Sequence, residues 1–84
     1  MNFGKWVIKK LDQKNISQYR LEKEYSLAKG SVYRWAYDKN NPRLDSIVRT
    51  VIGISDYTGE SLDALLLEAF QSTPEYKEVR HERE

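Results

Sequence analysis

The sequence predicts a compact all-α domain of five helices, and three observations carry that expectation. Apolar residues recur at three- and four-residue spacing along most of the chain, no stretch alternates as a strand would, and Gly and Pro number only four and two. Eighty-four residues provide one modest core and no second one.

Taken in order, Phe3, Val7, Ile8 and Leu11 share one face of a first helix over roughly residues 3–14. Asn15, Ile16 and Ser17 interrupt it. Ser17 is a good N-cap for a short second helix, about residues 17–25, with Leu21 and Tyr25 on its inner face. Ser26, Leu27 and Ala28 separate this from a third helix over about 28–37, in which Val32 and Trp35 form the inward pair. Asp38-Lys39-Asn40-Asn41-Pro42 reads as a loop, because Asn and Asp favour turns and the residue before proline is pushed out of the helical region. Leu44, Ile47, Val48, Val51, Ile52 and Ile54 read as a fourth helix that Gly53 weakens near its end. After the break at Thr58-Gly59-Glu60, Ser61 caps a fifth helix carrying Leu62, Leu65, Leu66, Ala69 and Phe70. Pro74 is expected to end that run. Residues 1–72 then form the domain, and 73–84 a charged tail or helix extension with only Tyr76 and Val79 as apolar residues.

Composition narrows the function. The absence of Cys removes disulfides, thiol nucleophiles and cysteine-based metal sites, and the lone His81 sits in the charged tail. Neither a glycine-rich phosphate loop nor usefully spaced paired carboxylates is present. A binding protein is therefore expected rather than an enzyme, with no cofactor, no metal and no small-molecule ligand. No apolar run approaches the roughly 18 residues of a membrane span, and no basic–apolar–small-residue leader is recognisable, so the expected location is the cytoplasm. Residues 1–50 hold eleven Lys and Arg against five Asp and Glu, a net +6, whereas residues 51–84 hold three against eight, a net −5. A basic first half suits a polyanionic partner. Charges scattered over solvated helix faces would produce the same asymmetry.

Two short helices joined by a short turn, the second followed by a basic, asparagine-rich loop, is the arrangement of a DNA-binding helix–turn–helix unit. Val32 and Trp35 would anchor the second helix of the pair, leaving Lys29, Gly30, Tyr33 and Arg34, with Ser31 at the margin, outward or flanking. Here the sequence resembles the lambda-repressor-like (Cro/xenobiotic-response-element type) helix–turn–helix family. Ile16-Ser17-Gln18-Tyr19-Arg20-Leu21 is similar to that family's "(L/I)SQxxL" opening of helix 2, and Val32-Tyr33-Arg34-Trp35 to its "(I/V)xxW". Lys39-Asn40-Asn41-Pro42 resembles its "KxxP" loop, and Ser61-Leu62-Asp63-Ala64-Leu65-Leu66 its "SLDxLL" closing helix. The resemblance spans residues 3–70.

The resemblance implies base contacts from Lys29, Gly30, Ser31, Tyr33 and Arg34. Arg34 is the strongest of these, since a guanidinium can pair with O6 and N7 of guanine. It implies backbone contacts from Ser17, Gln18, Lys39, Asn40, Asn41 and Arg43, which would set affinity and salt dependence rather than sequence. Five departures from the family pattern stand out: Gly30 at a reading position, Ser26 for the usual turn glycine, Glu22 for a small alanine, Ala28 without a Ser or Thr cap, and a stretch from Ile54 to Leu62 that is longer than typical and suggests an extra helical turn or a loop. The implied function is a sequence-specific transcriptional regulator, a phage or mobile-element repressor or Cro-like protein acting on double-stranded DNA. A domain this small buries too little surface for tight specific binding, so a homodimer is expected, with Leu66 or Leu67 and the chain beyond Phe70 as its interface. The alternative on the same scaffold is a protein-interaction module, an antitoxin or antirepressor.

Overall fold

The computed structural model describes residues 2–83. It contains six helices: α1 (Phe3–Gln13), α2 (Gln18–Glu24), α3 (Ser31–Tyr37), α4 (Leu44–Thr58), α5 (Leu62–Gln71) and α6 (Pro74–Arg83). The expectation of five is therefore corrected to six. Proline at the first position of a helix lacks an N–H that would be unpaired there anyway, and its fixed φ suits the helical turn. Thr73 Oγ1 accepts from the Tyr76 N–H at 3.3 Å in the manner of an N-cap, and Phe70 and Tyr76 meet edge to face across the junction with ring centroids 5.6 Å apart. Pro74 thus opens α6 rather than merely closing α5.

Polar caps start α1, α2 and α5: Asn2 accepts from the Lys5 N–H, Ser17 from Arg20 and Ser61 from Ala64. Each of the first five helices then contributes apolar side chains to one core, built from Phe3, Trp6, Val7, Leu11, Leu21, Val32, Trp35, Val51, Ile54, Leu65 and Ala69. Val32 and Trp35 point inward as their spacing predicts, and Trp6 joins them. The fourth and fifth helices form where the spacing placed them. Of the six apolar residues that marked the fourth helix, only Val51 and Ile54 are buried, while Leu44, Val48 and Ile52 are exposed. Gly53 does not break α4, and Leu21 of α2 with Tyr25 at its end fill the space that a Cβ at Gly53 would take. The long 54–62 stretch resolves into an extra helical turn that runs to Thr58.

Polar links fix the helices around this core. Lys10 of α1 is buried and reaches Glu68 of α5 at 2.9 Å and Glu60 of the α4–α5 turn at 3.1 Å. Burial alone would pull the ammonium down, but hydrogen bonds to Glu68 and Glu60 outweigh it and hold Lys10 above its ordinary value. The same Lys10 bond holds Glu68 below the usual carboxylate range. On the other side, Tyr25, the residue that closes α2, donates to Asp56 of α4 at 2.5 Å, which pushes the phenol up to about 12, and Tyr57 of α4 donates to Glu24. α1 is thereby held against α5, and α2 against α4.

Thr50 is fully buried on α4, and its hydroxyl has no hydrogen-bond partner among the described residues. Thr50→Val keeps the β-branched shape and replaces that oxygen by a methyl group. The substitution is expected to raise the unfolding free energy by about 1 kcal/mol in urea denaturation, because an unpaired buried hydroxyl costs more than a methyl. A lowered midpoint would mean that the hydroxyl is satisfied. Among the described residues no helix is long and apolar enough to cross a membrane.

Candidate nucleic-acid interface

The residues singled out in the sequence gather around α3, and the way this helix starts decides how they are displayed. α3 begins at Ser31, three residues later than its apolar spacing suggested. Gly30 occupies the N-cap position at φ +80, a left-handed conformation that Gly adopts without a Cβ penalty. It offers no side chain to the free N–H groups of the first turn. Those groups are met from α2 instead. The Glu22 carboxylate, only 4% exposed, accepts from Gly30 N–H at 2.9 Å and from Val32 N–H at 3.2 Å. An acid at a helix N-terminus also opposes the positive end of the helix dipole. Glu22 and Ala28, which look like two separate departures in the sequence, are one substitution: the cap has moved from the turn onto the neighbouring helix.

The turn itself runs through Ser26, which takes the positive φ of 58 that a glycine would otherwise supply. Lys29 and Gly30 therefore lie in the turn ahead of α3, not on its first exposed positions. Ser31 is buried, and its hydroxyl donates to the Ala28 carbonyl at 2.5 Å, so it faces the turn and not the outside. Arg34 is half-buried. Its guanidinium folds back to donate to the Lys29 carbonyl at 3.1 Å and lies beside Gly30, where an added Cβ would come 3.0 Å from Nη1. Arg34 therefore braces the turn in this arrangement. Tyr33 is the side chain that projects, 55% exposed, with its ring 4.9 Å from that of Tyr37 one turn on. Lys29, in the turn ahead of α3, is exposed.

Around α3, Lys39, Asn40 and Asn41 are all exposed in the loop to α4, with Lys39 at φ +57. Arg43 follows, exposed and 3.5 Å from Asp45. Ser17 spends its lone pair on capping α2, and Gln18 is half-buried at the first position of that helix. Sequence reasoning overlooked Lys5. Its ammonium lies 5.6 Å from the Tyr37 ring, so α1 adds a base to the aromatic pair on α3. The signal was available only as an i, i+4 pair of bases, Lys5 and Lys9, on the outer face of the first helix.

No protein-family model, curated protein or solved structure matches this chain. The chemistry of the surface is what remains: a short helix anchored by Val32, Trp35 and a buried carboxylate, with an aromatic pair and several bases outward. Such a surface supplies donors, cations and an exposed ring. The titratable groups that are displaced from their ordinary values (Lys10, Glu24, Tyr25, Tyr57 and Glu68) lie on other faces and tie helices together. Among the described residues there is no group of three or more His, Asp or Glu placed to hold a metal ion.

Proposed function

We propose that this protein is a cytoplasmic transcriptional regulator of the lambda-repressor-like helix–turn–helix kind, binding double-stranded DNA rather than catalysing a reaction. The observation that carries the reading is the rigid presentation of α3. Its inner side is held by Val32 and Trp35, its first turn is capped by Glu22, and Tyr33 on the helix, Lys29 in the turn before it and Lys39, Asn40, Asn41 and Arg43 in the loop after it are all exposed. In the proposed mode α3 enters the major groove. Tyr33 meets base edges or a thymine methyl, while Lys39, Asn40, Asn41 and Arg43 grip the phosphate backbone. Arg34 reads guanine only if it exchanges the Lys29 carbonyl for a base. Two copies on a two-fold operator, one helical turn apart, would act as a repressor or Cro-like protein does, by occupying the site.

The test is selection from a random duplex library, followed by binding of the selected and scrambled duplexes at several salt concentrations. A two-fold consensus is expected. Tyr33→Ala should weaken binding to it roughly ten- to a hundredfold while leaving scrambled DNA unaffected. Lys39→Ala should weaken both duplexes alike and reduce the salt slope by about one. Salt-labile binding without any consensus would sink the reading and favour the protein-interaction alternative.

A further inference from the structure

Five helices, α1, α3, α4, α5 and the start of α6, meet at a groove of ≈ 680 Å³. Sites for small molecules occupy roughly 300–1,000 Å³ and combine an apolar lining with a few free polar groups. The lining here is apolar and partly aromatic. Phe3 and Trp35, buried and with ring centroids 5.7 Å apart, form its base with Ala69. Leu44, Leu66 and Phe70 border it, and Leu44 and Phe70 are 75% and 64% exposed. Two of the polar lining residues are already spent. Asn2 donates to the Ala36 carbonyl and accepts from the Lys5 N–H, and Thr73 donates to the Phe70 carbonyl and accepts from the Tyr76 N–H. Lys39, Asn40 and Asn41 are different: three consecutive donors, all exposed, with Lys39 in no ion pair among the described residues. Trp35 adds a fourth. It is only 8% exposed, and its indole N–H bonds to nothing among the described residues, yet unlike the Thr50 hydroxyl it is not sealed in.

We propose that this groove binds a small aromatic anion, a carboxylate or sulfonate on a flat ring system. The ring lies against Phe3, Trp35 and Phe70, and the anionic group takes the donors of Lys39, Asn40 and Asn41. Such a ligand covers apolar surface that water now meets, and its charged acceptor pairs with groups that have no partner. A purely apolar ligand gains nothing from the loop. Glu75, the acid on the groove, stands in the first turn of α6, where the helix dipole favours its charge, so the anionic end is directed to the loop and away from α6. No small-molecule ligand is expected from the sequence, because the groove exists only where these distant segments meet. The site has a consequence for the loop. Lys39, Asn40 and Asn41 are the residues assigned above to the phosphate backbone, so the anion and DNA call on the same donors and oppose each other. That competition rests on the DNA reading, whereas the site itself does not.

Binding is tested first without DNA, on the full chain, with 2-naphthoate and its neutral counterpart 2-naphthamide as probes. Thirteen non-hydrogen atoms put the expected Kd of 2-naphthoate at roughly 1 mM or tighter. In proton–nitrogen NMR spectra the Trp35 indole N–H and the Asn40 and Asn41 side-chain amides should shift. The Trp6 indole, bonded to Glu68, should not. 2-Naphthamide should bind about tenfold more weakly, and Lys39→Ala should remove that difference. Phe70→Asp should abolish binding with unchanged circular dichroism, since this side chain is exposed and outside the core. Spectra unchanged at the solubility limit of 2-naphthoate, equal binding of the two probes, or binding indifferent to Phe70→Asp would each overturn the proposal. So would shifts that fade as the protein is concentrated tenfold, because a second copy of the chain would then occupy the groove. On the selected duplex, saturating 2-naphthoate at fixed ionic strength should weaken binding about tenfold, and the duplex should weaken 2-naphthoate by the same factor. A filled groove without effect on the duplex would overturn the competition. A protein that binds 2-naphthoate in this way yet selects no DNA consensus would remove the DNA reading and leave the site standing.

Discussion

Glu22→Ala is expected to lower the unfolding free energy by about 3 kcal/mol, a large share of what a domain of this size possesses. The carboxylate is buried and holds two backbone N–H groups at the start of α3, those of Gly30 and Val32. Truncation leaves both donors without a partner, and each hydrogen bond to a charged group is worth roughly 1.5–3 kcal/mol. Water reaching the new gap would recover part of this, which keeps the figure below the sum. Glu22→Gln retains one acceptor but turns an amide donor toward a backbone donor, so a loss of about 1–2 kcal/mol is expected. Urea denaturation of the three proteins measures this directly. If Glu22→Ala unfolds within about 0.5 kcal/mol of the wild type, α3 does not depend on this cap.

Gly4→Ala should also destabilise, against the direction of helix propensity. Alanine in place of glycine gains up to about 1 kcal/mol in a helix. At Gly4, however, α1 crosses α3 so closely that a Cβ would fall within 2.7 Å of three backbone atoms of Trp35 and Ala36. Backbone cannot swing aside as a side chain can. Asn2 moreover ties the start of α1 to the Ala36 carbonyl at 3.0 Å, so the helices cannot part without losing that bond. Overpacking costs about 1–3 kcal/mol and more where nothing yields, and a net loss of roughly 2–3 kcal/mol is expected. Gly53→Ala is the contrast. Its Cβ would meet the side-chain ends of Leu21 and Tyr25, which can turn away, so its loss should be smaller. Equal losses at both glycines would show that the α1–α3 crossing is more yielding than its distances indicate.

Much of the helical framework was legible locally. Ser17 and Ser61 cap the helices they precede, and Val32 and Trp35 turn inward as three-residue spacing requires. The failures came where one residue type carries two meanings. Pro74 stops one helix and starts the next, and only Thr73 Oγ1 bonded to the Tyr76 N–H distinguishes these roles. Gly30 reads as a weak helix residue, yet it is the left-handed residue before the helix. In the candidate interface, residue types were readable while their display was not. Ser31 and Arg34 are polar and at outward-looking positions, but one is folded under the turn and the other is bonded to the Lys29 carbonyl.

α4 and α5 show why. Leu44, Val48 and Ile52 are as apolar and as regularly spaced as any core residues, and periodicity records only that one side of a helix is apolar. Which side is covered depends on where α1 and α2 arrive, through Lys10 on Glu68 and Tyr25 on Asp56, contacts between residues 31 or more apart in sequence. The sequence by itself determined an all-helical chain, most of its helix starts, its basic first half and the residues grouped around α3. Only the tertiary structure decided that Glu22 caps α3, that Gly4 is a crossing point, and that half the apolar face of α4 stays outside. Propensity, capping and charge act within a few residues, whereas burial and partner choice are settled by which distant segments come together.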